Sequence, residues 1–240
     1  MTIGSLFSGI CGLELGLEWA GLGPVKWQVE IDGSLRESLR KRWPSAKLYG
    51  DIRDVYDFEP VDIICGGFPC QDLSTAGKKA GLSGARSGLW SEMERVIKTV
   101  RPSWVVVENV ALGAPKWVDD IRLALEREGY ESIPIPLAAI DLGACHERKR
   151  VFVVAHTDRP HVWKQPRRWS WPRRKSSSKS SESRDYWETI AASQGLVEPR
   201  VCRADDGLSN SVDRIRALGN AVVPQCAEVI GEVIKLLMDR

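Results

Sequence analysis

Through residue 156 the chain alternates short apolar runs with longer amphipathic stretches, and this alternation limits the possible folds more than any other feature. Apolar runs predict strands at 2–7, 25–30, 61–65, 103–107, 133–138 and 151–155. Between them, Leu13–Ala20, Ser34–Arg42, Leu89–Val100 and Val118–Glu128 read as helices, with Pro102 and Gly129 as the stops after the third and fourth. Strands and helices in alternation predict an α/β fold, a Rossmann-like or doubly wound sheet with helices on both faces.

After Ala155 the pattern breaks. Arg159 to Ser183 is rich in Ser, Arg, Lys, Trp and Pro and shows neither strand nor helix periodicity, the composition of a loop-like insertion or a solvated linker. Apolar residues then return at Val229, Ile230, Val233, Ile234 and Leu237, one face of a helix that brings the chain back to the core. The expected organisation is a core at 1–156, a short insertion at 157–212 and a segment completing the core at 213–240.

The charge follows the same division. Between Thr157 and Trp187 stand nine Lys/Arg against three acids, which leaves the rest of the chain with 25 bases and 29 acids. A mildly acidic body with one concentrated basic segment meets a polyanion through that segment. Four of the ten tryptophans (Trp163, Trp169, Trp171, Trp187) fall among or beside these bases, and indoles beside Arg167, Arg168, Arg173 and Arg174 suit unstacked bases and phosphates.

Six cysteines lie without a CxxC pair and only three histidines are present, so no metal site is expected and the thiols read as free and reduced. Cys65 closes an apolar run and reads as core. No stretch approaches the roughly 18 apolar residues of a membrane span, and the first residues show no basic flank before an apolar run. A cytoplasmic protein, monomeric and away from membranes, is the expectation.

Two phrases carry the chemistry. Gly67-Phe68-Pro69-Cys70-Gln71-Asp72 offers a thiol in a loop after a strand, and Val105-Val106-Val107-Glu108-Asn109-Val110 offers a carboxyl at the end of the next buried strand. A thiolate that adds to a weak electrophile needs an acid to take up the charge it displaces, so nucleophile and acid are needed together. Earlier, Phe7-Ser8-Gly9-Ile10-Cys11-Gly12 follows the first strand and opens a helix, a place where a nucleotide-like ligand can approach backbone N–H groups. Its glycines at 9, 12 and 16 lack GxGxxG spacing, which counts against a nicotinamide enzyme. Glu30 closes the second strand and Gly50-Asp51-Ile52 follows a third short apolar segment. These acids read either as ribose and adenine acceptors or as solvated strand ends.

The order and wording of these phrases resemble the C5-cytosine-specific DNA methyltransferases, over Ile3 to Val154 and again about Asp213 to Ile234. The resemblance implies S-adenosylmethionine as methyl donor and double-stranded DNA as partner. It implies that Cys70 adds to C6 of an extruded cytosine and that Glu108 holds N3. Arg148 and Arg150 match two motif arginines that precede a strand, one for the pyrimidine O2 and the other for the catalytic loop or a phosphate. Cofactor contacts fall on Phe7, Ser8, Gly9, Gly12, Glu30, Ile31, Asp51, Ile52, Phe68, Pro69, Leu89, Asn220 and Ala221. Lys78 and Lys79 lie in a glycine-containing loop that can close over DNA, with Arg86 just beyond it, and Arg167, Arg168, Arg173 and Arg174 supply sequence-independent DNA affinity.

Departures from the family pattern are informative. Only about sixty residues are available for target recognition, as in compact phage and prophage members, and His146 stands where the family usually has Gln. Cys11 replaces a glycine common in the cofactor loop, and a positive φ there would cost about 1–3 kcal/mol. The Cys-Phe-Thr tripeptide of the tRNA-methylating branch is missing, so DNA is the preferred substrate. A catalytically idle DNA-binding accessory protein is the alternative from another class, favoured by the short insertion and opposed by the intact Cys70 and Glu108. A companion restriction endonuclease is compatible with the resemblance.

Overall fold

The structure is a computed structural model, described here for residues 1–69, 88–111, 114–144, 146–157 and 221–238. Seven strands form one sheet: β1 (Ile3–Leu6), β2 (Val25–Val29), β3 (Lys47–Tyr49), β4 (Ile63–Gly66), β5 (Trp104–Val110), β6 (Glu131–Ala138) and β7 (Lys149–His156), in the order β3-β2-β1-β4-β5-β7-β6. The pairs from β3 to β5 are parallel, whereas β7 enters between β5 and β6 antiparallel to both. The strand order reverses between β1 and β4. In such a sheet the crevice at the carboxyl ends of the strands flanking the reversal is where ligands bind.

Helices cover both faces because the strands are apolar on both. Along β5, Trp104 and Val106 join one core cluster while Val105 and Val107 join the other, and β7 alternates likewise, with Phe152 and Val154 against Val151 and Val153. On one face lie α1 (Gly12–Trp19), α2 (Gly33–Arg42) and α5 (Pro224–Met238); on the other lie α3 (Gly88–Val100) and α4 (Ala114–Arg127). The expected Rossmann-like methyltransferase fold is the fold observed.

The last helix is seated closely. A Cβ on Gly16 of α1 would fall 2.1 Å from the Pro224 carbonyl oxygen, and one on Gly231 of α5 would fall 2.4 Å from the Ala20 Cβ. Small residues therefore let α5 pack directly on the helix that opens from the loop after β1. The predicted return to the core holds, although Ile230, Ile234 and Leu237 are buried with Cys226 and Ala227 while Val229 and Val233 are only half covered.

Differences from the sequence reading are local. The apolar segment before Gly50 is a true edge strand, β3; β5 runs on through Glu108 and Asn109; β7 begins at Lys149, so Arg150 is a strand residue and not part of a turn. Helix α4 starts four residues earlier than periodicity suggested, with Pro115 in its first turn, where a missing N–H costs nothing. The outer strand β6 carries Pro134 and Pro136, which suits an edge.

Backbone strain is concentrated near the carboxyl ends of the central strands. Of four non-glycine residues with positive φ among the described residues, Phe7 (φ 57°) and Cys11 (φ 70°) flank the loop after β1 and Arg148 (φ 30°) precedes β7; the fourth, Arg101, follows α3. Cys11 is also the N-cap residue of α1 and makes no side-chain cap. Cys11→Gly is therefore expected to raise the thermal midpoint by a few degrees, since relief of about 1–3 kcal/mol of left-handed strain exceeds the roughly 1 kcal/mol entropic cost of glycine. An unchanged or lowered midpoint in a thermal-shift comparison would show that the loop carries no such strain.

Candidate active site

Glu108 is the buried acid of the crevice. It projects from β5, is 6% exposed, and accepts from Arg150 Nε at 2.8 Å. The pairing follows from strand register: β5 and β7 run antiparallel, with Glu108 opposite Phe152 and Val110 opposite Arg150, so Arg150 is a diagonal neighbour of Glu108 on the same sheet face. Burial nevertheless outweighs both Arg150 and Arg148, and the carboxyl is pushed up to about 7. At neutral pH a substantial fraction carries a proton that it can donate.

The carboxyl leans on the end of β4. A Cβ on Gly67 would fall 2.7 Å from Glu108 Oε2, so a side chain at the residue that begins Gly67-Phe68-Pro69 would push the carboxyl aside. Asn109 ties the same two strands: its Nδ2 donates to the Phe68 carbonyl at 3.0 Å and its Oδ1 accepts from Val110 N at 2.8 Å. The sequence reading gave Asn109 no role. Its place beside Glu108 in the same phrase was the available signal.

Arg148 is partly buried, and its Nη2 donates to the Ala221 carbonyl, linking the start of β7 to the segment that leads into α5. Cys226 of α5 lies near this group, and burial pushes its thiol up to about 12, which makes it an unreactive core cysteine. Cys65 is likewise fully buried and raised.

The loop after β1 forms the opposite wall. Ser8 is buried and hydrogen-bonded to Ser5 through the two hydroxyls at 2.9 Å. Gly9 has φ 56° and donates its N–H to Glu30 Oε2 at 2.8 Å, while Asp32 N donates to Glu30 Oε1 at 2.8 Å. Two backbone donors thus fix the Glu30 carboxylate at the end of β2 and leave each oxygen a further lone pair. A Cβ on Gly12 would lie 2.0 Å from the Val222 carbonyl oxygen, so glycine is required where the loop meets the C-terminal segment.

Arg36 was not foreseen from the sequence. From α2, its Nη1 donates to the carbonyls of Glu30 and Ile31 at 2.8 and 2.7 Å and lies 3.7 Å from where a Gly50 Cβ would stand, so one side chain braces the ends of β2 and β3. On a strongly charged helix nothing in the local pattern distinguished it.

Of the other expected cofactor residues, Ile31 is an apolar side chain 65% exposed beside Glu30. Ile52 and Phe68 are buried in one core cluster, and Phe68 stacks at 6.0 Å on Trp90. Asp51 is engaged by its neighbour Arg53, which holds its carboxyl below the usual range. Pro69 is exposed, Leu89 is half-buried at the start of α3, and Phe7 packs against the core. Cys70, Lys78, Lys79, Arg86, Arg167, Arg168, Arg173, Arg174 and Asn220 lie outside the described residues.

One cavity joins these parts, lined by Ser8, Gly9 and Glu14 on one side and by Gly67, Glu108 and Ala221 on the other. Among the described residues there is no group of three or more His, Cys, Asp or Glu able to hold a metal ion, and no helix is long and apolar enough to cross a membrane.

Comparison with known proteins agrees with this geometry. The C-5 cytosine-specific DNA methylase family matches residues 1–198. The Type II methyltransferase M2.BsuMI of Bacillus subtilis is 35% identical over 163 residues, 65% of this chain and 42% of that protein. The Type II methyltransferase M.Eco47II of Escherichia coli is 37% identical over 164 residues, 64% of this chain and 39% of that protein. A crystal structure assigned as a DNA modification methyltransferase encoded within an E. coli prophage superposes with a TM-score of 0.55 at 27% identity, covering 65% of this chain and 47% of the other. The chain spans less than half the length of these relatives.

The raised Glu108 predicts a pH signature. The folded state holds a proton that the unfolded chain, with its carboxyl near 4.5, releases earlier, so this group favours folding fully below about pH 4.5 and the advantage is lost as pH rises to about 7. Wild-type stability relative to Glu108→Gln should therefore fall between pH 4.5 and 7 and level off above it. A difference that is flat across this range would contradict the raised carboxyl.

Proposed function

The chain belongs to the C-5 cytosine-specific DNA methylase family, and from that premise we propose that it transfers a methyl group from S-adenosylmethionine to C5 of a cytosine extruded from duplex DNA. The observation that carries the proposal is the buried Glu108, able to hold a proton near neutral pH, seated on Gly67 three residues before Cys70 and in one cavity with the loop after β1. Relatives among Type II methyltransferases and a prophage-encoded methyltransferase support the same reading.

In the proposed reaction the Cys70 thiolate forms a bond to C6 and the displaced electron pair moves toward C5. Protonated Glu108 donates to N3, which keeps negative charge from accumulating on the ring. Arg150 orients Glu108 through Nε, and under the family pattern one of Arg148 and Arg150 also meets the pyrimidine O2. S-adenosylmethionine supplies an electrophilic methyl group that C5 accepts. Loss of the C5 proton then drives out the Cys70 thiolate and restores the aromatic ring. Under the family pattern Glu30 would accept from the ribose hydroxyls, Asp51 would accept from the adenine amino group, Ile52 and Phe68 would flank the ring, and Ile31 and Leu89 would lie near the cofactor. Extrusion of the base costs on the order of a few kcal/mol, offset by contacts from the basic residues Lys78, Lys79, Arg86, Arg167, Arg168, Arg173 and Arg174.

Methyl transfer from tritiated S-adenosylmethionine to mixed-sequence duplex DNA tests the proposal, with bisulfite sequencing of the product. Label on C5 of cytosines in a recurring context is expected for wild type. Cys70→Ala should abolish it and Glu108→Gln should lower the rate by about 10²–10⁴. Label that survives Cys70→Ala, or no label with wild type, would defeat the reading.

A further inference from the structure

The cavity contains a second acid to which the proposed reaction assigns no task. Glu14, in the first turn of α1, is fully buried and lines the same cavity as Glu108. Gln28 Nε2 donates to its Oε1 at 3.2 Å, but Oε2 is buried with no hydrogen-bond partner. Glu14 forms no ion pair among the described residues. Burial pushes its carboxyl up, opposed in part by the hydroxyls of Ser5 and Ser8 and by Gln28. A buried acid with an idle oxygen and no counter-charge is a costly arrangement to leave empty-handed.

The walls around it show what would satisfy it. Among the described lining residues, Glu14 and Glu108 are the only charged ones, and the others are glycine, alanine, serine and apolar residues. Glu108 already has Arg150, whereas Glu14 faces only neutral partners: Ser5 of β1, Ser8 of the loop, Gln28 of β2 and, farther off, the thiols of Cys65 and Cys11. A small cavity walled by two acids, with no base among its described lining residues, favours a cation over a neutral molecule of the same shape, because a positive charge beside Glu14 offsets the desolvation that pushes its carboxyl up.

Methyl donor and demethylated product differ in that respect. S-adenosylmethionine carries a sulfonium; once the methyl leaves, the C–S bonding pair stays on sulfur and S-adenosylhomocysteine is a neutral thioether. Resting on the reading of this cavity as the methyl-donor site, we propose that Glu14 is a specificity-determining residue that holds the cationic donor in preference to its neutral product. The attraction exists while the methyl group is present and ends with its transfer, which assists exchange of product for fresh donor.

Isothermal titration of the whole chain with S-adenosylmethionine and, separately, S-adenosylhomocysteine tests this without reference to turnover. Glu14→Gln keeps the size of the side chain and its acceptor for Gln28 while removing the charge. It should weaken donor binding by about tenfold and leave product binding within about twofold. Equal loss for both ligands, or no loss for either, would overturn the proposal. Thermal unfolding checks that the variant folds; if it does not, Glu14→Asp decides, because a retained preference for the donor supports a role for charge and a lost preference overturns it. Failure of the wild-type chain to bind either ligand would remove the proposed function itself, and this inference with it.

Discussion

The antiparallel register of β7 on β5 is the constraint from which the site follows. It sets Arg150 diagonally across from Glu108 and lets a carboxyl be buried at the end of a parallel sheet with a cation at 2.8 Å. Without Arg150 the ionised carboxyl would lose its paired cation and keep only the more distant Arg148 against its burial. With it, burial still dominates, and the group titrates near neutrality. A fully parallel sheet would present the start of the next strand at the opposite edge, so the reversal at β7 is tied directly to the acid's chemistry.

The glycines translate that constraint into shape. Gly67 lets the Glu108 carboxyl lie against the strand that leads to Cys70, and Gly12 lets the loop after β1 touch the Val222 carbonyl. Arg148 adds a polar tie to Ala221, and α5 is held by its close packing on α1. Three separated stretches of sequence, the loop after β1, the ends of β4 and β5, and the segment before α5, are thereby brought around one cavity. The positive φ values of Phe7, Cys11 and Arg148 lie in the same region, as expected where packing holds the backbone in conformations it would not otherwise choose.

Much of this was legible in the sequence because the signals were strong and local. Continuous apolar runs marked six of the seven strands, and the helix face at Ile230, Ile234 and Leu237 marked the return of the chain. Glu108 and Arg150 were named from their motifs, and the left-handed Cys11 followed from its place in a glycine-type loop. What escaped reading depends on long-range geometry. The Arg36 brace, the Asn109 tie and the orphaned Glu14 oxygen each arise from a side chain meeting a distant backbone or an empty space, which no periodicity encodes. The three-residue β3 showed in the sequence only as a short apolar segment, being an edge strand too short to show a period.

The central claim is that a thiolate at Cys70 and a protonated Glu108 act together on the pyrimidine ring. Duplex DNA in which cytosines carry fluorine at C5 tests it most directly, since fluorine cannot depart as a proton and the bond from Cys70 to C6 persists once the methyl group has been transferred. Incubation of the chain with this DNA and S-adenosylmethionine, followed by denaturation and electrophoresis, should give a protein–DNA band that resists denaturation and disappears in Cys70→Ala. A wild-type chain that binds both DNA and donor yet gives no such band would contradict the account.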